Sequence, residues 1–394
     1  MYWDVQSSCY GRKQTPSRDW PTSICIRIRC PLPNHTMANL PPELVPSIIG
    51  NHSTSLALAL VNKYYNDIVT QILYKDVALF GVGTLKKFSV TMAAGRPFLR
   101  KYPVSLRINS WPYSWGGIVY LLPDIKQTLM HVPNLQYLNI FSAGDDPIPR
   151  YLVEEPQYPF RLRQILITPF RDSVFVKFLE TQPEIEEIIF GVIDGDGTSR
   201  GQTWRADITP LQPKILPKLR SIQSHQSDIS FMVPHHPVSE ITLFETHRDT
   251  EIHKEIAKSS VPLKRLAECV EISEQPWESG LVLRWLPSLE FCWRSLSEYS
   301  LEIDPFPQRD FPCSICSFLK EREAPSYGLD ALRNSLSAFS VLKKFNFNFR
   351  NDSLYDLTPE FCQTVPELSR FDVWQESCPS LVEVSLFKII LKEM

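Results

Sequence analysis

Beyond about residue 100 the chain keeps returning to one apolar–polar pattern of Leu-x-x-Leu-x-Leu type. The copies are anchored at Leu135 (PNLQYLNI), Leu162 (LRQILI), Ile185 (PEIEEIIF), Leu219 (PKLRSIQS) and Val238 (VSEITL). Five more follow at Leu263 (PLKRLAE), Leu289 (PSLEFCW), Leu342 (VLKKFNF), Leu368 (PELSRFDV) and Leu381 (PSLVEVSL). Alternation with period two predicts strands whose leucines enter a core while the residues flanking the central one face outward. Six copies follow a proline (Pro133, Pro183, Pro217, Pro287, Pro366, Pro379), which sets a fixed break before the strand. Several anchors lie 25 to 27 residues apart, as from Leu135 to Leu162 and from Val238 to Leu263. The intervening segments read in part as helices: Asp172 precedes Val174, Phe175, Phe178 and Leu179, and Asp330 precedes Leu332, Leu336 and Phe339. Residues 191–207 and 297–312 read as inserted loops, and 246–260 as a solvated helix. Ser224 and Glu268 stand where the pattern asks for apolar side chains.

Residues 40–79 follow the helical period instead. Pro41 and Pro42 suit a helix entry, where a missing N–H would be unpaired in any case. Leu44, Ile48 and Ile49 form one stripe, and Ser53, Thr54 and Ser55 offer N-caps to a second helix. On that helix Ala57, Val61, Tyr64, Ile68 and Ile72 share a face, with Leu58, Tyr65, Val69 and Leu73 beside them. So broad an apolar surface exceeds what about 40 residues can bury among themselves. It predicts a partner on one side and the rest of the chain on the other.

Composition removes several alternatives. A hydrophobic fraction of 43% with 22% charged residues is globular, and a net charge of -3 gives no case for nucleic acid or an anionic membrane. No run of about 18 apolar residues is present to span a bilayer. Thirty-three prolines against 14 glycines disfavour phosphate-cradling loops. Nine irregularly spaced cysteines read as free thiols in a reducing, intracellular compartment, cytoplasmic or nuclear. Cys313-x-x-Cys316 has no second ligand pair, Glu154-Glu155 and Glu186-Glu187 diverge as sequence neighbours, and no nucleophile elbow occurs. The expectation is a chain without catalytic residues, metal or cofactor.

The order Leu-Pro-x-Glu-Leu, then Ile48-Ile49, then Val61-Asn62-Lys63-Tyr64-Tyr65 and Leu73-Tyr74 resembles an F-box, and the later copies resemble leucine-rich repeats. The style is similar to that of F-box families of mushroom-forming fungi. This resemblance implies an α/β chain: a helical F-box over residues 37–80, then an irregular leucine-rich-repeat solenoid over 81–394 with a parallel sheet on its concave face. It implies a substrate-recognition subunit of a Skp–cullin–F-box ubiquitin ligase. Leu40, Pro41, Leu44, Ile48, Ile49, Leu58 and Val61 would dock on the Skp-type adaptor, and through it on the cullin. The outward strand positions Tyr137, Asn139, Lys344, Asn346, Arg370 and Trp374 are candidates for holding an unknown target protein, with Gln164, Glu187 and Gln223 beside them. The alternative is a leucine-rich-repeat interaction module outside any ligase. Residues 1–36 carry Arg12, Lys13, Arg18, Arg27, Arg29 and three cysteines without a period, and Met37 stands directly before the hook. They are expected to be a loose tail or to precede the natural start. Limited proteolysis followed by mass spectrometry is expected to remove residues 1–36 before any other segment; their survival would contradict this.

Overall fold

Twelve strands join into a single sheet, and their spatial order is their chain order, from first to last. In a computed structural model the described residues are 63–94, 97–109, 122–141, 157–167, 173–191, 211–246, 251–272, 286–305, 325–349, 363 and 365–393. The chain divides into residues 1–50 and 51–394, and all described residues belong to the second unit. The strands are β1 (Asp76–Phe80), β2 (Ser105–Asn109), β3 (Tyr137–Phe141), β4 (Gln164–Ile167), β5 (Glu187–Phe190) and β6 (Ser221–His225). They continue as β7 (Glu240–Thr246), β8 (Arg265–Ile272), β9 (Glu298–Pro305), β10 (Lys344–Phe349), β11 (Glu383–Leu386) and β12 (Ile389–Lys392). Neighbours from β1 to β11 pair in parallel; β12 alone runs back against β11.

One backbone device recurs at each step from β2 to β11. The carbonyl of Val104 accepts two N–H groups, from Gln136 and Tyr137, and the carbonyl of Gln136 accepts those of Arg163 and Gln164. The same doubled bond passes through Arg163, Glu186, Arg220, Ser239, Lys264, Ser297 and Lys343, with distances of 2.7–3.1 Å throughout. Each strand therefore enters the sheet at the same height as its predecessor. That lock explains why the inward side chains stack in two rows. Leu106, Leu138, Ile165, Ile188, Ile222, Ile241, Leu266, Tyr299, Phe345 and Val384 form one row, all buried.

Return segments close the core from the inward side. Ahead of the sheet lies α1 (Lys63–Lys75), which runs straight into β1, and α2 (Val82–Ala94) returns the chain from β1 toward β2. Next come α3 (Leu122–Met130) and α4 (Ser173–Glu180), on which Phe175, Phe178 and Leu179 are buried at the spacing the sequence predicts. Further along are α5 (Gln226–Met232), α6 (Glu251–Ile256) and α7 (Pro325–Leu336), then the short α8 (Pro366–Ser369) and α9 (Asp372–Ser377). On α7 the expected Leu332 and Leu336 are buried together with Leu329; the helix starts at Pro325 instead of Asp330 and ends at Leu336, so the buried Phe339 lies beyond it. α6 lies in the segment expected to be solvated, yet Ile252, His253 and Ile256 are buried.

Two expected strands are absent, and four strands, β1, β2, β9 and β12, fall where no copy was expected. The copy at Leu289 is a 3-10 helix, Leu286–Cys292, and the true strand β9 lies in residues 297–312, expected to be a loop. Its pattern is Leu296-x-x-Tyr299-x-Leu301, with an aromatic ring in the central place, and all three are buried. The copy at Leu368 is helical. Leu368, Phe371 and Trp374 recur every three residues, so the same short window satisfies both periods, and Pro366 suits a helix start.

The β11–β12 turn is made by Phe387 and Lys388, both with positive φ (47° and 67°). A side chain at such a position costs roughly 1 kcal/mol that glycine avoids. Phe387 contributes to the core against Phe347, whereas Lys388 is exposed. Lys388→Gly is therefore expected to raise stability by roughly 1 kcal/mol, read from the urea midpoint at unchanged m-value; a lowered midpoint would contradict it.

Candidate interaction surface

The outward side of the sheet carries two registered rows. The first runs Ser105, Tyr137, Gln164, Glu187, Ser221, Glu240, Arg265, Glu298, Lys344 and Glu383. The second runs Arg107, Asn139, Leu166, Ile189, Gln223, Thr242, Ala267, Ser300, Asn346 and Ser385. None of these side chains is buried, in contrast to the inward rows.

The two halves of this face differ in chemistry. From β7 to β12 the first row alternates in charge and compensates itself. Arg265 bridges Glu240 (3.2 Å) and Glu298 (2.8 Å), Lys344 lies 3.9 Å from Glu298, and Lys392 pairs with Glu383 at 3.0 Å. Each such exposed pair contributes about 0–1 kcal/mol to stability, so the ladder sets surface pattern more than fold. The second row there is small and polar, with Asn346 Nδ2 donating to Ser300 Oγ at 2.9 Å and Asn348 donating to Asn346. From β1 to β5 the face is more apolar. Phe80 is 60% exposed and Tyr137 39%, and Leu166 and Ile189 are half-buried outside the core.

Glu187 sits where the halves meet. Gln223 Nε2 donates to its Oε1 at 3.0 Å. Burial lifts its carboxyl above the ordinary carboxylate range, against that bond; Glu240 pushes the same way as burial and Arg220 opposes it.

The sequence-predicted contact residues divide accordingly. Tyr137, Asn139, Lys344 and Asn346 do share the outward face, at matching heights on β3 and β10. Arg370 and Trp374 do not. Arg370 follows α8 and pairs with Asp372, while Trp374 is fully buried on α9, donating Nε1–H to the Glu367 carbonyl at 2.8 Å and packing on Phe345. The helical course of that segment takes both off the outward face. The residues expected to dock on an adaptor, Leu40, Pro41, Leu44, Ile48, Ile49, Leu58 and Val61, lie outside the described residues. On α1, which lies within residues 37–80, Tyr65 and Val69 are buried and Tyr64 is exposed. The alternating ladder was partly legible, since Arg265 and Lys344 hold the same place in their copies; Glu298 was hidden with its strand.

No family model matches this chain, and no curated protein matches it.

A second group of polar residues lies inside. Glu268, on an inward position of β8, accepts from Tyr299 Oη at 3.0 Å and from His253 Nε2 at 2.9 Å, and His253 Nδ1 lies 2.5 Å from Ser288 Oγ. The connectivity is that of a charge relay, but His253 and Glu268 are 1% and 2% exposed, shut into the core. Burial first, and Glu268 second, raise the Tyr299 hydroxyl well above its ordinary value and push the Cys292 thiol up to about 12. Cys292 is thus a protonated thiol at neutral pH and a poor nucleophile or metal ligand. Among the described residues no cluster of metal-binding side chains occurs, and no helix is long and apolar enough to cross a membrane.

Glu268 breaks the apolar pattern because Tyr299 breaks it on the adjacent strand, and each satisfies the other. Glu268→Leu, which restores the repeat pattern, is expected to cost about 3 kcal/mol, because buried donors lose their acceptor. Chemical denaturation measures this; an unchanged or raised midpoint would show the network to be dispensable.

Proposed function

We propose that this chain is the substrate-recognition subunit of a Skp–cullin–F-box ubiquitin ligase, with residues 37–80 as the hook and the repeats as the target holder. The observation that carries the second half is the sheet with strands in chain order, entered each time through the same doubled hydrogen bond. That is the growth rule of a leucine-rich-repeat solenoid, whose uncovered strand face serves recognition. The first half rests on the hook sequence, whose apolar surface calls for a partner. On this reading the subunit holds a target near the ubiquitin-charged enzyme and raises its effective concentration there, while bond making belongs to other subunits.

A second reading keeps the repeats as a binding module without ligase assembly. It is favoured by the junction at α1, whose final residue Lys75 accepts the Val104 N–H at 2.9 Å, so that this helix also begins the repeat stack. Co-purification with a Skp-type adaptor separates the two. The ligase reading expects a stable complex that Leu44→Asp and Ile48→Asp each weaken by at least about tenfold, since each buries a charge at the contact. A chain that binds no adaptor, or binds it equally well with both substitutions, leaves only the second reading.

A further inference from the structure

Four carboxylates of the first outward row stand on interior strands: Glu187, Glu240, Glu298 and Glu383. Three of them have a cation, namely Arg265 for Glu240 and Glu298, and Lys392 for Glu383. Glu187 has none. Its registered neighbours are Gln164 and Ser221, its one hydrogen-bond partner is the neutral Gln223, and Arg220 is engaged by Glu186. It is also the carboxylate next to the aliphatic part of the face. Ile189 lies two residues along the same strand, and Leu166 is beside Ile189 on β4. One strand further, Asn139 holds its Oδ1 buried with no hydrogen-bond donor among the described residues. An uncompensated carboxylate, two aliphatic side chains and an unpaired acceptor therefore lie within three adjacent strands.

We propose that this part of the outward face, β3 to β5, is the docking site for an extended target segment bearing a lysine or arginine beside aliphatic residues. The basic side chain pairs with Glu187, the aliphatic ones cover Leu166 and Ile189, and an N–H of the segment reaches Asn139 Oδ1. Strand spacing of about 4.8 Å puts Asn139 and Glu187 roughly 12 Å apart, a span of about four extended residues. The self-compensated ladder of β7 to β12 explains why the charge contact falls here: a charged target there would first have to displace an existing partner. The desolvation already borne by Glu187 favours a cation, because half-buried opposite charges attract more strongly than exposed ones.

The inference rests on the outward face being the target-binding face, and the test separates the two. The full chain is used to select from a phage-displayed library of random linear peptides, and selected peptides are measured by fluorescence anisotropy. Enriched sequences are expected to pair Lys or Arg with Leu, Ile or Val. Their affinity is expected to fall about tenfold or more with Glu187→Gln, to weaken with salt, and to stay unchanged with Arg265→Ala. Glu187→Gln keeps the volume and an acceptor for Gln223, so the fold is not at issue; the urea midpoint verifies this. Peptides that ignore Glu187→Gln but lose affinity with Arg265→Ala or Lys344→Ala would overturn the anchor and leave the face as the binding side. An empty selection, or binding indifferent to every outward substitution, would overturn both. Adaptor binding is expected to be the same for all these variants.

Discussion

The whole sheet hangs on a carbonyl that accepts twice. From Val104 to Lys343 the same atom of each unit takes two N–H groups of the next, and this fixes where each strand from β3 to β11 begins. Side chains alternate with period two, so a slip of one residue would turn the entire inward row to the outside. The chain between successive locks varies widely, from 19 residues (Arg220 to Ser239) to 46 (Ser297 to Lys343). Register is therefore conserved along the stack by backbone geometry while length is free, and insertions are tolerated between locks because loop closure grows costlier only slowly with length.

The core accepts polar groups where they arrive in matched sets. Glu268 occupies a leucine position in β8, and the neighbouring strand answers with a tyrosine in its own leucine position. His253 from α6 completes the set, and through Ser288 ties in the short 3-10 helix before β9. Inside the core, where these units otherwise meet through apolar side chains, they are thereby joined by directional bonds, which constrain alignment more tightly than packing alone. Trp374 does similar work at the other end, filling the space beneath Phe345 and bonding the backbone of α8.

Much of this was readable from the amino-acid order. Strands anchored at Leu135, Leu162, Ile185, Leu219, Val238, Leu263, Leu342 and Leu381 all form, because alternation and a preceding break dictate them locally. The failures have separate causes, and in one of them a short window cannot tell period two from period three. Leu368-x-x-Phe371-x-x-Trp374 reads as a strand when only the alternation from Leu368 to Val373 is counted. β9 escaped for the converse reason: its central Tyr299 is legible as a core residue only once Glu268 is known to need a donor. β1, within the hook-like residues 37–80, was masked by the helical pattern that precedes it. On the surface, Tyr137, Asn139, Lys344 and Asn346 followed directly from strand register, whereas Arg370 and Trp374 inherited the error in their element.

The reversal at Phe387 and Lys388 has a consequence for growth of the stack. With β12 running backwards, the terminal margin of the sheet displays the wrong polarity for another parallel unit, and Lys392 stands charged upon it. A stray copy of the repeat arriving in the direction of the others would meet this margin antiparallel, where the doubled-carbonyl entry of the parallel strands cannot be repeated. The left-handed corner thus breaks the rule by which identical rungs are added, and the sheet ends on a strand of a different kind.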